Sequence, residues 1–491
     1  MTPSAVPDGD TLRKGQVLQA RITSLAPGGE GVTRDFGKPI FINRVAPGDL
    51  VSIRLFDVRK DFAKAEVLEL LEPSPMRAEP PCPIFKVCGG CQWQHMGYEH
   101  QLEGKRSIIE QAIKYIGKLE TYADKIQPTL RAPLPLAYRN KAQFPVNEVA
   151  KSGRILAGYY KQNSHDLVNI KHCPVQPEAM DRTLEATKEI LQANHISGYD
   201  ENTGAGLLRH IAERYSFDRK QILLTFVLNT KTETLDPETL KRLETAATQI
   251  MAEVPEVIGV LANINRTRSN TIMGDTTVLI KGEAHIIETL RSSLPDAPDQ
   301  LKQGIQFRLS SSSFFQVNSA QAQNLLDEVI QAARGEGTGS EDKPLIIDAY
   351  AGVGTMGMWL APIASKVIAI EEHPAAIQDG HVNLKLNNIT NMEFIQAKVE
   401  DEVPKLLERG IRADVVVVDP PRKGIEKGGL HSLIKLNARR IVYVSCNPTT
   451  LARDLRILEE NGYSTKRIQP VDMFPQTYHV ESVTLLEKAP T

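Results

Sequence analysis

The sequence predicts an α/β protein with a C-terminal doubly wound, Rossmann-like domain, a central α+β domain and a small OB-like β-barrel at the N-terminus. Three observations carry this. The runs LIIDAYAGVGT, KVIAIEE, MEFIQAKVED, DVVVVDPPR and RIVYVSCNP are apolar and β-branched and alternate with helical segments, the pattern of a parallel sheet covered on both faces. A Gly-rich turn, Gly352-x-Gly354-x-x-Gly357, follows the first of these runs. The first 75 residues instead hold short alternating runs broken by Pro-Gly-Gly and Pro-Gly-Asp turns. At about 150 residues per domain, a chain of 491 residues has room for three such units, 1–75, 76–310 and 311–491.

Composition narrows the function classes. Apolar residues make up 41% and charged residues 24%, which fits a folded chain rather than a disordered one. Lys and Arg number 58 against 60 Asp and Glu, a net charge of −2. Nucleic acid would therefore have to be held by a local patch, not by bulk charge. No stretch approaches the roughly 18 apolar residues that span a bilayer, and the opening MTPSAVPDGDTLRKG has no apolar core followed by a cleavage site. The expected location is the cytoplasm, with no membrane or DNA partner.

Residues 11–72 supply the barrel strands. Over residues 1–76 the ten Lys/Arg balance ten Asp/Glu, so a structural barrel and an RNA-binding barrel both stay open. Residues 76–95 are rich in Pro and Cys, and a helix is expected around YEHQLEGKRSIIEQAIKYIG. Segment 131–172 carries seven Lys/Arg against two Asp/Glu, interleaved with Tyr138, Phe144, Tyr159 and Tyr160. That combination suits single-stranded nucleic acid, or a solvated basic face. Further on, QILLTFVLN, VIGVLANIN and TTVLIKG read as strands and DPETLKRLETAATQIM as a helix. Ser310–Ser313 suit a helix N-cap, and the polar stretch 333–344 reads as a linker.

The C-terminal strand ends carry the chemistry. The Gly-rich turn alone matches a dinucleotide fingerprint, with Glu371 at the distance of a ribose-binding acid. A nicotinamide oxidoreductase is thus one reading. Asp348, just before the glycines, turns it toward S-adenosylmethionine, whose ammonium group a carboxylate can face. Asp419-Pro420-Pro421-Arg422 leaves another strand where ligands bind in open α/β sheets. Cys446 ends the next strand beside a helix start, where the dipole favours a thiolate; an inert buried thiol is the alternative. A thiolate adding to C6 of uracil would make C5 nucleophilic, and a base must then remove the C5 proton. Glu481 opens the last strand-like segment and can be that base, with His479 in competition.

The remaining cysteines are Cys82, Cys88, Cys91 and Cys173. Four thiolates suit a cubane iron–sulfur cluster or a structural zinc. Five residues separate Cys82 from Cys88, so the radical arrangement with three fails.

Together these residues resemble the bacterial uracil-C5 RNA methyltransferases, in the branch with a TRAM barrel and a four-cysteine [4Fe–4S] site that methylates 23S ribosomal RNA. The resemblance rests on the barrel, the four cysteines, Phe314-Phe315-Gln316-Val317-Asn318, the Gly352/Gly354 turn, Asp419-Pro-Pro-Arg422, Ser445-Cys446-Asn447-Pro448 and His479-Val480-Glu481. It implies Cys446 as nucleophile and Glu481 as base. It further implies Gln316, Tyr350, Glu371 and Asp419 on S-adenosylmethionine, with Cys82, Cys88, Cys91 and Cys173 on the cluster. Glu372 adjoins Glu371, and Glu371 is taken by register. The tRNA enzymes of the family generally lack the barrel and the cluster cysteines, which favours a ribosomal substrate over the tRNA alternative.

Overall fold

The computed structural model describes residues 12–119, 122–149, 152–230, 235–269, 271–334 and 343–489. Nearly all of the opening segment read against a secretion signal, and most of the 333–344 linker, lie outside these residues. No helix among the described residues is long and apolar enough to cross a membrane.

The N-terminal strands form one six-stranded sheet. Its spatial order is Val17–Arg21, Leu50–Val58, Ala63–Glu72, Ile40–Ile42, Gly31–Thr33 and Ser24–Leu25. Period-two alternation drives it: Val51, Ile53 and Leu55 are buried while Arg54 faces out. These side chains share one core with Ile22, Ile40 and Ile42. Arg77, at the start of the Pro/Cys-rich segment, makes two hydrogen bonds at 2.8 Å to the buried Asp49 carboxylate. That ion pair ties the sheet to the cysteine-bearing segment.

The expected helix forms over Tyr98–Ala112 and continues as a π-turn to Gly117. A seven-stranded central sheet comes next, ordered Thr276–Gly282, Val257–Ile264, Gln221–Leu228, Leu208–Ser216, Lys141–Val149, Arg154–Tyr160 and Leu167–Asn169. Helices Glu178–Ala193 and Pro237–Glu253 share its core. Asp236 caps the second, accepting from the Thr239 N–H at 2.9 Å. Here the reading of the interleaved rings is corrected. Tyr138 and Phe144 are buried, and Tyr159 packs on Phe144 with centroids 5.3 Å apart. They are core residues, because Ala142, Phe144 and Val146 form the buried face of a strand.

The C-terminal sheet is ordered Met392–Gln396, Lys366–Glu371, Leu345–Ala349, Val415–Val418, Arg440–Ser445, Glu481–Lys488 and Tyr463–Val471. The first five strands are parallel, Glu481–Lys488 runs antiparallel to them, and the edge strand Tyr463–Val471 runs antiparallel to Glu481–Lys488. Apolar cores cover both faces, as the β-branched runs require. Strand order reverses at Leu345–Ala349, flanked by Lys366–Glu371 and Val415–Val418. The carboxyl ends there open the crevice in which such sheets bind ligands. The serine run does not cap a helix. Ser313 turns back on Ser310, and the helix starts at Ser319, where Asn318 Oδ1 accepts from the Gln321 N–H at 3.1 Å.

Candidate active site

The Gly-rich turn is built by backbone conformations that side chains resist. Gly354 has a φ of +82°, and a Cβ there would meet the Phe394 ring at 2.6 Å and Met392 Cε at 2.8 Å. Glycine is needed on both counts. Two carboxylates hold the turn from within. Asp348 Oδ2 accepts from the Gly357 N–H at 2.8 Å. Glu371 accepts from Gly352 and His373 N–H groups, each at 2.8 Å, while Glu372 is exposed.

Beside this turn lies a cavity of about 370 Å³ lined by Gln316, Tyr350, Asp348, Asp419, Cys446 and Glu481. The structure so gathers Gln316 and Glu481, 165 positions apart in sequence, on one wall. Glu371 is not on its wall; it acts on the turn through Gly352. Phe314, Phe474 and Arg422 also line the cavity. The sequence reading gave them no role. Arg422 had a signal, its place in the Asp-Pro-Pro-Arg turn, whereas the two phenylalanines sit in irregular loops with no periodicity to betray them. Gln316 is positioned by the central domain: its carbonyl accepts from Asn140 Nδ2 at 2.9 Å.

Cys446 and Glu481 meet through strand register. Ser445 pairs with Ser482 at the end of the antiparallel ladder; Cys446 follows the one and Glu481 precedes the other, and both line the cavity. Glu481 is buried, and burial followed by the Asp419 charge pushes its carboxyl up to about 8, against a lowering by Arg422. Asp348 and Asp419 are each pushed up to about 7, chiefly by burial. The expectation of a dipole-favoured thiolate is reversed at Cys446. Burial first, then Glu481 and Asp419, push its thiol up to about 11. Asn447 caps the helix Pro448–Glu460 and takes the Thr449 N–H at 3.0 Å. His479 moves the other way, down to about 4, because burial and then the Arg422 charge disfavour its cation.

The four remaining cysteines line a second cavity of about 230 Å³. Burial raises all four thiols, Cys91 to about 11 and Cys173 to about 12. Among the described residues, no three His, Cys, Asp or Glu side chains converge as ligands of one metal ion would.

The family described as tRNA (Uracil-5-)-methyltransferase matches residues 300–489, and the TRAM domain matches residues 12–68. An uncharacterised RNA methyltransferase of Halalkalibacterium halodurans is 39% identical over 476 residues, 97% of this chain and 98% of the relative. One from Gloeobacter violaceus is 38% identical over 479 residues, again 97% and 98% of the two chains. Among solved structures, the tRNA (uracil-54, C5)-methyltransferase of Pyrococcus abyssi, in complex with S-adenosyl-L-homocysteine, superposes with a TM-score of 0.71 at 26% identity. That match covers 95% of this chain and 99% of the other. With a Rossmann-like domain behind a TRAM domain, and relatives of this identity over nearly the full length, the chain belongs to the uracil-5 RNA methyltransferase family.

Proposed function

We propose that the protein methylates C5 of a uridine in 23S ribosomal RNA, using S-adenosylmethionine and a covalent bond from Cys446 Sγ to C6 of the base. The observation that carries this is that Cys446 and Glu481, one residue beyond the Ser445–Ser482 rung, share the wall of the cavity that the Gly-rich turn also lines. The cavity suits the cofactor's chemistry: its carboxyls, Asp348 and Asp419, are raised chiefly by burial, and a sulfonium with an ammonium group would favour their charged forms. Gln316, Tyr350 and Asp419 would hold it, with Glu371 fixing the turn beneath. When bound, the cofactor supplies an electrophilic methyl group.

The chain's own residues do the rest. The Cys446 thiol gives its proton to water and its sulfur bonds to C6, moving the π-electrons of the C5–C6 bond toward C5. After C5 has taken the methyl group, the Glu481 carboxylate accepts the C5 proton. The C5–C6 double bond re-forms and the S–C6 bond breaks, releasing the thiolate. A general base works best with a pKa near the working pH. Glu481, at about 8, lies nearer neutrality than His479, at about 4, which would be too weak to hold the proton.

Cys82, Cys88, Cys91 and Cys173 fit a [4Fe–4S] cluster. All four thiols line one cavity of about 230 Å³, which would take the cube. The TRAM domain and these thiols favour the ribosomal substrate. The second reading, a tRNA uridine, is favoured by the Pyrococcus abyssi structure, whose overlap with 95% of this chain leaves the barrel unable to exclude tRNA by its presence.

The test uses RNA carrying 5-fluorouridine, whose C5 substituent cannot leave as a proton. Wild-type protein with S-adenosylmethionine should form a denaturation-stable protein–RNA band, and Cys446→Ser should not. Tritium-methyl transfer onto undermodified 23S and transfer RNA then separates the two substrates.

A further inference from the structure

Cys446 stands between two cavities. Besides the larger one, a cavity of about 190 Å³ is lined by Pro27, Ile108, Pro448, Thr449 and Tyr478. Arg422, Cys446 and His479 line both. The smaller cavity is assembled from five parts of the chain: a turn of the N-terminal sheet, the helix Tyr98–Ala112, the Arg422 turn, the segment from Cys446 into the helix Pro448–Glu460, and Tyr478–Val480. Its walls combine the rings of Pro27, Pro448 and Tyr478 with polar groups of Arg422, Asn447, Thr449 and His479.

The Tyr478 ring is set in advance. A Cβ on Gly29 would come within 2.6 Å of it, the Gly29 carbonyl is itself held by Trp93 Nε1 at 2.9 Å, and the His479 ring lies 4.3 Å away on centroids. A ring fixed before binding loses little freedom when something stacks on it. Arg422 is exposed. Among the described residues its guanidinium has no hydrogen-bonded or ion-paired partner, although its charge is felt at Cys446, Glu481 and His479.

We infer that the smaller cavity receives the base of the nucleotide adjoining the target uridine, with Arg422 on the phosphodiester that joins the two. The inference rests on the RNA uridine reading above and deepens it. A uridine drawn into the larger cavity leaves its stack, which costs a few kcal/mol; its neighbour loses a stacking face in the same step. The smaller cavity on the far side of Cys446, with the Tyr478 ring in its wall, restores that face. A free guanidinium on the ridge between two cavities suits the single phosphate that must cross it.

The experiment measures binding of a fluorescent seven-nucleotide RNA with one central uridine, by anisotropy, against strands abasic at the 5′ or the 3′ neighbour. One abasic position should weaken binding about tenfold, the worth of one stacked base. Thr449→Phe, which fills the smaller cavity, should weaken the intact strand similarly and bring the intact-to-abasic ratio to about one. S-adenosylhomocysteine binding by calorimetry checks that this variant is folded. Arg422→Gln should reduce the salt-dependence slope by about one ion. Equal binding of all three strands by the wild type overturns the inference, as does a ratio untouched by Thr449→Phe. Methyl transfer to the same RNA is scored separately. Lost transfer with retained discrimination counts against the uracil-C5 reading alone, and equal binding with transfer intact counts against the subsite alone.

Discussion

At Glu481 a carboxylic acid is kept where its charge is disfavoured, and this has two consequences. Its pKa of about 8 means that the base form grows as pH rises, so the methylation rate at saturating substrates should climb from pH 6 through 8. A pH–rate profile that is flat over this range would remove Glu481 as the base. The stability effect has the opposite sign. A carboxyl raised on folding binds more protons in the folded than in the unfolded state, so it lowers stability increasingly as pH rises from its unfolded value, 4.5, toward about 8. Glu481→Gln removes that penalty, and its thermal midpoint should exceed the wild type's by more at pH 8 than at pH 5. The same variant should form the RNA adduct without resolving it, giving a gel-stable complex on unmodified RNA. Cys446→Ala should abolish turnover while leaving S-adenosylhomocysteine affinity within about twofold by calorimetry, because one sulfur is a small part of that cavity's wall.

Among the elements, those buried on both faces were the legible ones. Val415–Val418 and Arg440–Ser445 are continuous apolar runs, and such runs have few folded alternatives to a central parallel strand. Lys141–Val149 escaped because Lys141, Gln143 and Asn147 alternate with its buried residues, and its charges suggested a surface patch instead. The Ser310–Ser313 run misled for a local reason: serine favours both caps and turns, and only the position of Asn318 decided between them. The Gly-rich turn was legible as a sharp strand-to-helix connection, because glycine spacing is itself a local signal. Gly354→Ala should lower stability by about 2 kcal/mol in urea unfolding through strain and crowding against Phe394 and Met392, and should weaken S-adenosylhomocysteine binding along with it.

Across the whole molecule, the four-cysteine cavity is wired to both walls of the active-site cavity. One route runs from Cys91: the Gln92 and Trp93 N–H groups both donate to the Gln476 carbonyl, at 3.1 and 3.0 Å, five residues before Glu481. Buried Lys105, paired with Asp472, also donates to the Phe474 carbonyl at 2.9 Å. The other route runs from Cys173: Arg139 N–H donates to Val175 at 2.9 Å, and Asn140 N–H to Val317 at 2.8 Å, beside Gln316. Cys88→Ser should therefore bleach the brown colour of a cluster-loaded protein, lower its melting temperature and weaken S-adenosylhomocysteine binding together. A colourless wild type rich in zinc on elemental analysis would exclude the cluster.

Sequence alone determined the layer architecture and the residue types at the strand ends, because buried β-branched runs, Gly-rich turns and clustered thiols are local patterns with few physical meanings. It left the protonation states open. The burial that raises Glu481 and Cys446, against the helix-dipole expectation, comes from elements distant in the chain. Tertiary structure alone decided which aromatic rings are core, that Glu371 holds the turn instead of lining the cavity, and that Arg422 stands between two cavities. These depend on register and packing between separate elements, and no local pattern encodes them.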